Sequence, residues 1–188
     1  MYIPKFNQQE DEAALYKLIE EYPFASWACN LEHGIEINHI PLYLRRDQGK
    51  KGVLVGHVAR PNPIWQHCNG QLDSTLVFHG EQAYISPSWY PSKQGDPRVV
   101  PTWNYVVVHV KGQARAIEDS ARLLQHLEEL TNKHEKQFDT PWKVSDAPES
   151  FIEKLSKAIV GIEIPIESIE GKWKLGQNRS QVDQAGLI

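Results

Sequence analysis

The chain is poor in cysteine, poor in net positive charge and without a long apolar run, and each shortage removes a class of function. Cys29 and Cys68 are the only two cysteines in 188 residues, and they stand far apart with no C-x-x-C pair. That excludes a disulfide framework and a zinc-ribbon pattern, and it fits a reducing, intracellular setting. Twenty Lys and Arg against 24 Asp and Glu give a net charge of −4 and a pI near 6.1. There is therefore no global attraction to nucleic acid, which clustered cations would have to supply. The amino terminus, MYIPKFNQQEDEAALYK, carries neither a basic start followed by an apolar run nor a span long enough to cross a bilayer, so a cytoplasmic, soluble protein without membrane association is expected.

Other signatures are missing too. Ser86 and Ser88 lack a Gly-x-Ser-x-Gly elbow, and His57, His67, Cys68 and His79 do not have zinc-ligand spacing, so no metal site is expected. No strand–helix–strand alternation with a glycine fingerprint is present, which argues against a doubly wound fold. Two C-terminal helical stretches are separated by about a dozen residues, against the three or four of a helix-turn-helix, and direct reading of DNA is not supported.

What is present is a succession of short strands. Asn7 and Glu10 read as a capping box ahead of a helix over 8–22, with Ala14, Leu15, Leu18, Ile19 and Tyr22 at helical spacing. Strands are expected over 24–30, 34–44 and 53–59, the last interrupted by Gly56 where a bulge or close backbone approach would fall. A short helix should follow in RPNPIWQHCNG. The stretches 74–80 and 82–87 are expected to form a hairpin around Gly80-Glu81, followed by a long strand over 104–118 with a break at Gly112. Leu123, Leu124, Leu127, Leu130, Phe151, Leu155 and Ile159 then mark a helical pair, and 160–166 returns as a strand. The pattern predicts a mainly β fold, a β-barrel with peripheral helices, as one domain over 1–188 with a helical hairpin at about 118–159.

Polar residues concentrate at strand ends, where barrels place ligand contacts: Asn38 and His39, then His57 with Arg60 and Asn62, and finally Gln177, Asn178 and Arg179. Cys29, in mid-strand, should pack as a small hydrophobe. The connection AYISPSWYPSKQGDPRVVPTWNY (83–105) brings together Tyr84, Trp89, Tyr90, Trp103 and Tyr105. These rings could close a barrel end or cover a subunit interface, or they could form a wall against a flat conjugated ligand.

Six segments carry a resemblance: MYIPKF at the start, INHIPL (37–42), GHVARPNP (56–63), AYISPSWYPSK (83–93), VPTWNYVVVHVKG (100–112) and KLGQNRS (174–180). In order and over nearly the whole chain, they resemble the motifs of the PaiB family, described as FMN-binding negative transcriptional regulators. The resemblance implies an FMN-binding split barrel like that of pyridoxamine-phosphate oxidase, a homodimer with flavin at the subunit interface, and a bacterial repressor of sporulation and degradative-enzyme genes. It implies that Asn38, His39 and Ile40 run beside the isoalloxazine ring, with Gly56, His57, Arg60 and Asn62 on the phosphate side. Arg60 suits an oxyanion because its fork binds bidentately, and Arg45, Arg46, Lys50 and Lys51 fall at a turn. Ser86 would lie on the next strand, and Trp173 and Arg179 resemble the aromatic and basic positions presented across the interface. Members of the family continue past the segment that ends here at Ile188, so contacts made by that tail are expected to be missing. A flavin-dependent oxidoreductase, or a haem-binding split barrel with His57 or His109 as axial ligand, are the alternatives; the residues name no catalytic group.

Overall fold

The structure is a computed structural model that describes residues 1–187. Nine strands and four α-helices are described: β1 (Gln8–Gln9), α1 (Glu12–Glu21), β2 (Phe24–Leu31), β3 (Gly34–Pro41), β4 (Tyr43–Arg45), β5 (Val53–Ala59), β6 (Asn69–Ile85), β7 (Thr102–Ile117), α2 (Ser120–Glu135), α3 (Glu149–Ser156), β8 (Ile159–Pro165), β9 (Ser168–Lys174) and α4 (Gln181–Ala185). The chain is mainly β, with antiparallel pairing throughout the registers described. No described helix is long and apolar enough to cross a membrane.

The chain divides into two compact units, the first made of Met1–Tyr22, Phe78–His109 and the segment from Glu170 onward, the second of Pro23–Val77 and Val110–Ile169. In the second unit the strands run in the order β3-β2-β6-β7-β8-β5-β4. The pleat puts Trp27, Leu42, Leu54, Leu76, Ile162 and Ile164 inside without exposed surface. At one edge the sheet curls back on itself, because a Cβ on Gly56 of β5 would meet Leu42 Cδ2 at 2.9 Å and the Pro41 carbonyl at 3.0 Å. Glycine is there so that the end of β3 can cross β5 closely; the strand itself is unbroken. In the first unit β1 pairs with β9 and β9 with β7, and α1 buries Leu15, Leu18 and Ile19, with Leu15 against Gly171 of β9 and Leu18 against Gly80 of β6.

Four sequence expectations need correction. The first helix begins at Glu12, capped by Asp11, whose carboxylate accepts the Ala13 N–H at 3.0 Å. Asn7 is buried instead, and Gln8 and Gln9 pair with Lys172 and Gly171 of β9. The expected hairpin at Gly80-Glu81 does not form: β6 runs straight through, since a Cβ on Gly80 would lie 2.4 Å from Val106 and 3.1 Å from Leu18. That glycine serves packing and makes no turn. Likewise β7 is continuous through Gly112, where a Cβ would fall 2.1 Å from the Pro165 carbonyl. Arg45 lies in strand β4, 6 % exposed, and Glu129 of α2 is its partner.

Candidate functional site

The residues expected on the β3–β5 side fall into three separate arrangements within the second unit. Asn62 caps the 3-10 turn Pro63–His67 by accepting the Ile64 N–H at 3.1 Å, and its amide donates to Asn38 Oδ1 at 2.6 Å. Asn38 in turn donates to Glu36 Oε1 at 3.2 Å, so the two carboxamides form one half-buried chain. His39 is exposed, with its Nδ1 3.1 Å from Ser26 Oγ and its ring stacked on Phe24 at 6.3 Å. Ile40 is buried, as alternation along the strand requires.

His57 belongs to the second arrangement. Its Nδ1 lies 3.2 Å from Nε2 of His126, a fully buried residue on α2. Burial pushes both imidazoles toward the neutral form. For His126 the nearby His57 and the Arg45 charge add to this, taking it down to about 3.

Arg60 forms the third. Its Nε donates to the Lys157 carbonyl at 2.8 Å, one terminal nitrogen to the Ile159 carbonyl at 3.2 Å and the other to Glu118 Oε2 at 3.3 Å, with the guanidinium 5.6 Å from the Trp65 ring centroid. Every arm of the fork already has an acceptor. The buried thiols offer no nucleophile, for desolvation pushes Cys29 up to about 11 and Cys68 to about 12. No cluster of three or more His, Cys, Asp or Glu placed to hold a metal occurs among the described residues.

The first unit holds the other expected residues, and here the structure assembles something. Alternation along β9 puts Lys172 and Lys174 on one face and Trp173 on the other. The two ammonium groups lie 5.2 and 6.0 Å from the centroid of one ring, Tyr105 of β7. After β9, Gly176 takes φ +81°, a left-handed conformation that turns the chain so that the Arg179 N–H reaches the Gly176 carbonyl at 2.9 Å. Arg179 then lies 4.7 Å over the ring of Tyr90, which is buried. None of the three cations forms an ion pair with a carboxylate among the described residues. The Lys174 ammonium is held below its ordinary range by partial burial and by the charges of Lys172 and Arg179, with Tyr105 opposing.

The aromatic connection holds this arrangement in place. Ser86 caps the 3-10 turn Pro87–Trp89, its Oγ accepting the Ser88 N–H at 3.2 Å. Ser92 donates its N–H and its hydroxyl to Asp183 of α4 at 3.1 and 2.9 Å, and these bonds draw the Asp183 carboxyl below its usual range. Tyr84 and Trp103 meet edge to face at 6.0 Å, and the Lys174 ammonium donates to the Trp103 carbonyl. The rings of 83–105 therefore clasp the C-terminal strand and helix. The sequence singles out Arg179 and Trp173 as site residues and Lys172 and Lys174 only as basic residues of the same stretch; the i, i+2 spacing of the lysines is the available signal.

Comparison with known proteins follows the same line. The fold is the split barrel of flavin-binding proteins related to pyridoxamine-phosphate oxidase. Residues 1–168 match the family described as "Putative FMN-binding domain". The chain is 33 % identical to the Bacillus subtilis protease synthase and sporulation protein PAI 2 over 189 residues, covering all of this chain and 87 % of that one. It therefore belongs to the PaiB family of FMN-binding-domain proteins. An uncharacterized protein of Emericella nidulans is 32 % identical over 223 residues, covering all of this chain and 89 % of its own length, so similar chains occur in fungi as well. Among solved structures, the FAD and heme binding protein of Mycobacterium smegmatis superposes with a TM-score of 0.67 at 13 % identity, over 96 % of this chain and 80 % of that one.

Proposed function

We propose that this protein is a homodimeric PaiB-type negative regulator, of the kind acting on sporulation and degradative-enzyme genes, whose barrel binds FMN and whose effect is exerted without reading DNA directly. The observation that carries the flavin part is the group Lys172, Lys174 and Arg179. Lys172 and Lys174 have no carboxylate partner among the described residues and repel each other and Arg179, whose charge is only partly met by Asp183, and a dianionic phosphate relieves that repulsion with charge-assisted bonds. The rings of Tyr105 and Tyr90 beside them suit a flat conjugated body. The residues present thus fit the group: Lys172 and Lys174 would meet the phosphate, and Arg179 would support it from Tyr90. Bound FMN would supply one- and two-electron redox chemistry. The dimer reading is supported by exposed Phe24, Ile35 and Ile37 on the β2–β3 hairpin, at 65, 73 and 58 %.

Three measurements test this. Fluorescence titration should show FMN binding more tightly than riboflavin, and the double substitution Lys172→Ala/Lys174→Ala should weaken FMN by about ten- to a hundredfold while leaving riboflavin unchanged. Arg60→Ala should leave the ratio of the two affinities as it is. An unchanged ratio in the folded lysine variant removes the phosphate assignment, and a Soret band in protein purified without added cofactor would favour haem. Sedimentation at micromolar concentration should show a dimer; a monomer removes that part of the reading.

A further inference from the structure

The helical pair encloses a groove that the flavin reading does not use. It lies between α2, α3 and the 3-10 turn Val144–Asp146 in the second unit, with a volume of about 890 Å³. Its floor is apolar: Leu123 and Val144 are buried, and Leu124 is exposed by 37 %. Its rim is acidic, with Glu118, Glu128, Glu149 and Glu153 against Arg60 and Lys157. Glu118 is matched by Arg60 at 3.3 Å. The other three carboxylates are exposed and form no ion pair among the described residues.

We propose that this groove docks a basic amphipathic helix of a partner protein, its apolar ridge on Leu124 and its Lys or Arg flanks facing Glu128, Glu149 and Glu153. The charge selects this occupant over others. A fatty acid or a nucleic acid would bring its own negative charge against the rim. A second copy docking the same groove about a twofold axis would set glutamate against glutamate. An apolar seam flanked by one sign of charge is the form in which grooves take amphipathic helices of the opposite sign. The inference does not rest on flavin binding.

The test is fluorescence anisotropy of the full chain with a labelled Leu/Lys amphipathic peptide of about 18 residues, five helical turns, and with a Leu/Glu peptide of the same pattern. The wild type should bind the Leu/Lys peptide and not the Leu/Glu peptide at physiological salt. Glu149→Lys/Glu153→Lys, both on the exposed surface of α3, should lose the first by at least about tenfold and gain the second. Leu124→Asp should weaken the Leu/Lys peptide by about tenfold, which a purely electrostatic attraction would not do. No binding at roughly 100 µM peptide, about −5.5 kcal/mol, overturns the proposal. So does binding indifferent to the groove substitutions, and so does a change of oligomeric state on rim reversal, which would make the groove a contact between copies. Unfolding curves for each variant separate loss of binding from loss of fold.

Discussion

Lowering the pH from 7 to 4 should cost this protein about 3 kcal/mol of stability through His126 alone, rising to roughly 5 kcal/mol below pH 3. His126 is fully buried on α2, its Nε2 faces His57 Nδ1 at 3.2 Å, and its Nδ1 has no partner. Desolvation first, and then His57 and Arg45, bring its pKa down to about 3 from an ordinary value of 6.5. The folded pKa is the depressed one, so the unfolded chain binds the proton more readily. Stability is therefore complete above about pH 6.5 and is lost as the pH falls toward 3, at about 1.4 kcal/mol per pH unit. His57, also lowered by burial, adds to the loss in the same direction. Urea unfolding of the wild type and His126→Leu across pH 8 to 3 measures this. The leucine should cost about 1 kcal/mol at pH 8, for the lost histidine contact, and should then flatten the acid limb. If the two curves stay parallel down to pH 4, the buried imidazole is not the acid-labile group.

What the sequence disclosed, and what it hid, follows from how far each feature reaches. Period-2 alternation marks β3, a short apolar run marks β5, and period-3.6 spacing marks α1 and the α2–α3 pair, because these signals are local. The hairpin expected at Gly80-Glu81 and the break expected at Gly112 fail for the same reason. A glycine that turns the chain and one that lets another strand approach look identical until Val106 or Pro165 is beside it. The candidate site divides the same way. Arg60 stands in a motif that suits an anion, yet its fork is filled by two carbonyls and Glu118, more than fifty residues away in sequence. Lys172 and Lys174 stand out only in the fold, where their ammonium groups lie 5.2 and 6.0 Å from the ring of Tyr105 on another strand. Arg45, in what reads as a turn, and Glu129, on a helix, gave no hint of each other.

Replacing Glu129 by Gln should destabilise the protein by about 3 kcal/mol, more than its partial exposure suggests, because the cost falls on its partner. Arg45 is 6 % exposed on β4, and Glu129, with a quarter of its side chain exposed, supplies the counter-charge: Nε donates to Oε2 at 2.9 Å. One terminal nitrogen of Arg45 lies at the same distance from that oxygen but is misaligned, so it is left without an acceptor. The pair is therefore imperfectly satisfied even when intact, and removing the carboxylate strands a charge in the interior beside His126. The reverse substitution, Arg45→Met, leaves a carboxylate that water and Gln125, which donates to Oε1 at 2.9 Å, can accommodate, and it should cost about 1 kcal/mol. Arg45→Met/Glu129→Leu should come close to the wild type, as apolar replacement of buried pairs generally does. Chemical unfolding of the three variants at pH 7.5 decides the matter. A cost below about 1 kcal/mol for Glu129→Gln would show that Arg45 finds another partner or water and that the pair is not asymmetric.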